Sequence, residues 1–158
     1  MTSSPEKLVR DYCKQAAPLE RRGSKGPEQL PAGAAIMALD DDGKARAVVE
    51  AYKRLPPPPR SNAYGQCIML GLLLTTLLRR DLPLDEDDLE AMATSCGSAV
   101  SPAYGPCDYD AALVKALSRL GRIRPKTRVA VRKVIARRGG NYAVDRRICA
   151  SLERLIET

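Results

Sequence analysis

Along this chain, apolar residues recur at helical spacing in short segments, and clusters of glycine and proline separate them. In SSPEKLVRDYCKQAAPLE, Ser4 is placed to cap a helix and Pro5 suits its first position, while Leu8, Tyr12 and Cys13 share a face. RRGSKGPEQLPAG then predicts a loop, and the AAIMAL that follows is too brief to classify by period. Asp41 or Asp42 is expected to cap a helix over GKARAVVEAYKRL, which the run PPPPR ends. Those prolines predict a stiff extended connector, with a ligand for a proline-binding domain as the alternative.

The next segment, QCIMLGLLLTTLLRR at residues 66–80, is apolar on every side from Cys67 to Leu78. A membrane-spanning helix needs about 20 such residues, so this shorter run predicts a helix buried on most of its circumference. Ser61 is its expected cap, and Arg79 and Arg80 sit where the helix dipole favours cations. Leu82-Pro83-Leu84 marks a turn, after which Asp85 is expected to cap a helix whose first turn carries Glu86, Asp87 and Asp88 and whose stripe is Leu89, Met92 and Ala93. SPAYGPC reads as a loop. Leu113, Leu117 and Leu120 mark a further helix in DYDAALVKALSRLG. Another begins near Pro125 and ends at Gly139–Gly140, and Val144, Ile148, Leu152 and Leu155 line a last one.

No segment has the period-2 alternation of a strand, so the expected fold is all-α, with six to eight short helices in a single domain over residues 1–158. LLRRDLPLDEDDLEAM from Leu77 and LSRLGRIRPKTRVAVRK from Leu117 repeat one pattern about 40 residues apart: helix end, basic residues, apolar turn, new helix. On these residues the chain, over 44–158, resembles the HEAT-like α-helical repeat proteins. The resemblance implies stacked helix pairs with a buried inner helix at 67–78. A compact helical bundle is the alternative, and residues 1–43 form a less regular N-terminal segment outside the resemblance.

Composition removes whole classes of chemistry. The chain has no histidine, which excludes Ser-His and Cys-His nucleophilic pairs, a histidine base and mixed Cys/His zinc sites. It has no Phe or Trp, so Leu, Ile, Val, Ala, Met and Tyr must build the core. Its five cysteines lack CxxC spacing, and no N-terminal run resembles a signal peptide, which together predict reduced thiols in a cytoplasmic protein. Aligning Asp40-Asp41-Asp42-Gly43 to a calcium loop places Ala38 and Val49 at ligand positions, so the motif fails. The acids at 85–88 lack the glycine and distal glutamate of such a loop. Gly43-Lys44 lacks the first glycine of a phosphate-binding loop, and Ser4-x-x-Lys7 lacks every companion motif of serine-lysine enzymes. Cys96 and Cys107 flank a loop and read as structural thiols. Neither a catalytic residue, a metal site nor a cofactor is expected.

Charge supplies the positive lead. Residues 1–110 hold 13 Lys plus Arg against 16 Asp plus Glu, whereas residues 111–158 hold 13 against 3. Such asymmetry predicts an interaction face for a polyanion or an acidic protein surface. Its candidate residues are Arg119, Arg122, Arg124, Arg128, Arg132, Lys133, Arg137, Arg138, Arg146 and Arg147, with Arg124, Arg128 and Arg132 recurring every fourth residue. Val129 and Ala136 lie opposite the apolar stripe of their helix, which predicts burial between neighbours rather than insertion in a DNA groove. The expected function is a non-enzymatic interaction or scaffold module with an acidic protein partner. The alternative is sequence-nonspecific nucleic-acid binding through the same face, although only Tyr142 is near for base stacking. No membrane role is expected.

Overall fold

The computed structural model describes residues 3–17, 26–55, 64–98, 109–138 and 143–157, which form eight α-helices and one short 3-10 helix, with no strand among them. The capping residues explain most of the starts. α1 (Pro5–Ala16) begins where the Lys7 amide donates to the Ser4 hydroxyl at 3.2 Å. α3 (Asp41–Lys53) is capped one residue earlier than expected, by Asp40, whose Oδ1 accepts from the Gly43 amide at 2.7 Å. α5 (Glu86–Ser98) starts with a reciprocal pair: the Asp88 amide donates to Asp85 Oδ1 at 2.8 Å, and the Asp85 amide to Asp88 Oδ2 at 3.2 Å.

One expectation needs correction. The predicted loop at 21–33 contains the 3-10 helix Pro27–Gln29 and the start of α2 (Pro31–Met37). Pro31 takes the first helical position, where its missing N–H is no loss. Gly33 reads as a breaker in sequence but is a packing residue here, because a Cβ on it would collide with the Pro27 carbonyl oxygen. The remaining helices are α4 (Tyr64–Leu77), α6 (Tyr109–Leu117), α7 (Pro125–Arg138) and α8 (Ala143–Glu157). The expected Ser61 cap, the proline run, the SPAYGPC loop with Cys107, and Gly139–Gly140 with Tyr142 lie outside the described residues.

These helices pack in two rows. α1, α3, α5 and α7 follow one another in the first row, each against the next. In the second, the 3-10 helix packs on α4, α4 on α6 and α6 on α8. Between the rows, α1 pairs with α2, α3 with α4, α5 with α6 and α7 with α8. The apolar segment is the middle of the second row, with Met69, Leu70, Leu73, Leu74, Leu77 and Leu78 all buried. Its two threonines satisfy their hydroxyls within the helix, Thr75 on the Gly71 carbonyl at 2.9 Å and Thr76 on the Leu72 carbonyl at 2.7 Å. Among the described residues, no helix is long and apolar enough to cross a membrane.

Two buried tyrosines tie the rows together in the same way. The Tyr12 hydroxyl on α1 donates to the Met69 carbonyl on α4 at 2.7 Å, and the Tyr52 hydroxyl on α3 donates to the Tyr109 carbonyl on α6 at 2.8 Å. Both bonds span 57 residues. Each links a first-row helix to the second-row helix of the following pair.

Candidate interaction surface

Where each C-terminal cation points is set by what the preceding helix pair offers it. Along one edge of the first row, an arginine from each pair reaches back to an acid of the pair before. Arg46 on α3 grips Glu6 on α1 with two bonds, at 3.0 and 2.8 Å. Arg80, in the α4–α5 turn, lies 3.5 Å from Asp41. Arg119, in the α6–α7 turn, lies 2.7 Å from Asp81 and also donates to the Arg80 carbonyl at 3.2 Å. Arg124, at the start of α7, donates to Asp87 at 2.7 Å, while its own amide donates to Glu86 at 3.3 Å. The hydrogen bond from Asp87 raises the Arg124 pKa above its ordinary value. The two echoing segments of the sequence supply the α4–α5 and α6–α7 turns, equivalent places in this edge. Exposed pairs of this sort contribute at most about 1 kcal/mol each, so they set register more than stability.

A second group of cations is withdrawn into the interior. Asp110 on α6 is 0% exposed and accepts from Arg137 Nη2 on its Oδ1 and from Arg138 Nη1 on its Oδ2, each at 2.6 Å. The side chain of Arg137 is 12% exposed and that of Arg138 4%. Arg137 also lies over the Tyr109 ring, 5.7 Å from its centroid. A buried carboxylate needs such partners, because an isolated one is heavily penalised by desolvation. The expectation that Arg137 and Arg138 stand on an open basic face is therefore corrected: both lock α7 to α6. Arg119 and Arg124 are likewise committed to acids of the chain. Arg128 is half-buried and donates to the Ile123 carbonyl at 3.1 Å.

What is left faces solvent on one side of α7. Arg122, Lys126, Arg132 and Lys133 are exposed and make no ion pair among the described residues, and Arg146 and Arg147 are exposed at the start of α8. Val129 is 51% exposed, the one large apolar side chain so open among the described residues, and Ala136 beside it on this face is exposed too. This corrects the expectation that Val129 and Ala136 are buried between neighbours. The buried stripe of α7 is Thr127, Ala130, Val131 and Val134, and the exposed Val129, Arg132 and Ala136 lie on the side opposite. Lys126, which the charge pattern did not single out, belongs to this face.

Sequence reasoning missed Asp110, although a signal was present: it stands three residues before Leu113 and seven before Leu117, on the stripe those leucines bury. Arg138 likewise follows Val134 by four and Val131 by seven. No group of three His, Cys, Asp or Glu side chains among the described residues is placed to hold a metal ion. Cys96 is buried, and burial pushes the partly covered Cys13 thiol up to about 11, the reverse of what a nucleophilic thiol requires. The described residues thus define an all-α protein. No family model, curated protein or solved structure matches the chain.

Proposed function

We propose that the chain is a non-enzymatic interaction module, a HEAT-like stack of helix pairs whose last pair offers the free face of α7 to an acidic protein surface. The sorting of the cations carries this reading. Arg119, Arg124, Arg137 and Arg138 are consumed by acids of the chain, whereas Arg122, Lys126, Arg132 and Lys133 are left around an exposed apolar centre. A solvated charge run has no need of Val129 at its middle; an interface with an apolar core and a polar rim does. Nucleic-acid binding through the same cations is the competing reading. Among the described residues, Tyr12, Tyr52 and Tyr109 are buried, so these three offer that reading no stacking surface.

Affinity capture with the wild type beside Arg132→Glu/Lys133→Glu separates the two, with labelled duplex DNA and single-stranded RNA titrated in parallel at several salt concentrations. The expected result is acidic proteins retained by the wild type and lost by the double variant, with nucleic acid bound weakly or not at all. Tight nucleic-acid binding that weakens steeply with salt and disappears in the variant moves the function to nucleic acid. Identical capture by both proteins removes the α7 face from the function.

A further inference from the structure

The other end of the molecule carries a surface of opposite character. A groove of ≈ 370 Å³ lies across α1, α3 and α5, with Ala45, Val49 and Pro83 as its apolar lining. Glu6, Asp42, Glu50 and Asp88 line it against only two cations, Arg46 and Lys53. Arg46 is spent on Glu6 and Glu50 on Arg54, which leaves Asp42 and Asp88 facing a single lysine. The free face of α7 is the converse: Val129 and Ala136 at the centre, Arg132 on one flank, Lys126 and Lys133 on the other. Within one chain α5 stands between the two surfaces, because the first row runs α1, α3, α5, α7. They can meet only between copies.

We propose that the α7 face of one molecule seats in the α1–α3–α5 groove of a second copy, head to tail. The inference rests on the reading of the α7 face above, and names a second copy of this chain as its acidic partner. A helix ridge entering a groove between helices is the ordinary geometry of helix packing, and it covers Val129 with the apolar lining. The cations of α7 then fall opposite Asp42 and Asp88. The contact is heterologous: each copy keeps one groove and one face free, so assembly extends unless its rotation closes a ring. The net charge of +7 per copy opposes approach, but at about 0.15 M salt the screening length is near 8 Å and the groups in contact decide.

Sedimentation equilibrium of the full chain over a wide range of concentration tests this. Three variants accompany the wild type: Asp42→Lys/Asp88→Lys in the groove, Val49→Arg to fill the groove without touching a capping residue, and Arg132→Glu/Lys133→Glu on the face. Circular dichroism checks that each folds. The wild type is expected to gain mass with concentration, and each variant alone to associate roughly tenfold more weakly. Mixing the Val49→Arg variant, whose groove is filled, with the face variant is expected to restore a two-copy complex that grows no further, since one supplies the intact face and the other the intact groove. A wild type that stays monomeric at every concentration overturns the proposal while leaving the capture experiment to judge the α7 face. Association that the variants do not weaken, or that mixing does not restore, overturns it equally.

Discussion

Asp110 opens α6 in a position where an acid is ordinary, yet its carboxylate is fully buried between two guanidiniums. Removing its charge takes away the buried anion that Arg137 Nη2 and Arg138 Nη1 both contact at 2.6 Å. Asp110→Asn is therefore expected to lower unfolding stability by about 3–5 kcal/mol, read from urea denaturation. A loss below roughly 1 kcal/mol, the scale of a surface pair, would mean that the clasp does not hold α7 to α6. Cys13 gives a second prediction with a defined pH window. Burial raises its pKa from 9.0 to about 11, so the folded state holds the proton more tightly than the unfolded one. Its contribution is complete below pH 9 and lost as pH climbs towards 11, by roughly 3 kcal/mol at most. The fall in thermal midpoint across that window should be shallower in Cys13→Ala than in the wild type. Neither fact was readable as a site from local sequence. Asp110 and its arginines stand 27 and 28 residues apart, and only the packing of α6 on its neighbours shows which acid meets which base.

Between helices, two tyrosine bonds tie the rows together, and one glycine sets how closely α5 and α7 approach within the first row. Tyr12→Phe and Tyr52→Phe each delete one hydroxyl bond to a carbonyl on the opposite row, at an expected loss of about 1 kcal/mol each. The two bonds end on different carbonyls, those of Met69 and Tyr109, so the double variant should lose the sum, within roughly 0.5 kcal/mol; a coupling well beyond that would show that the two ties are not independent. Gly97 is the close-approach point of α5 on α7, where a Cβ would stand 3.0 Å from Lys133 Cβ and 3.3 Å from the Ala130 carbonyl oxygen. Gly97→Leu should push α7 away, raising proteolysis of α7 and α8 before that of α1 and α3. At this level much was legible beforehand. Ser4, Asp85, Pro5 and Pro125 marked helix starts because capping chemistry is local, and Cys67–Leu78 marked a buried helix because its apolar run allows no exposed side. The error at 27–33 has a physical reason: Gly33 was needed for contact with Pro27 across a turn, and sequence does not separate a packing glycine from a breaking one.

Taken whole, the chain distributes charge so that three helix pairs carry most of the acids and the fourth most of the surplus cations. The total was legible at once; its division into spent and free arginines was not, because that depends on which acid of the preceding pair lies opposite. The row arrangement leads to a last prediction. Among the described residues, the main packing contacts of α1 reach α2, α3 and α4, and those of α8 reach α6 and α7. A stack joined only by neighbours opens from its ends, whereas a bundle around one shared core opens as a unit. Native-state hydrogen exchange should therefore find the slowest amides in α4 and α5, with faster exchange towards α1 and α8. Asp110→Asn should accelerate exchange in α6, α7 and α8 while leaving α1 and α2 nearly unchanged. Equal acceleration in every helix would instead mean that the four pairs share one cooperative core. The free face of α7 would then be the outside of a bundle rather than the open end of a stack, and it would have to be judged as a surface patch without a repeat behind it.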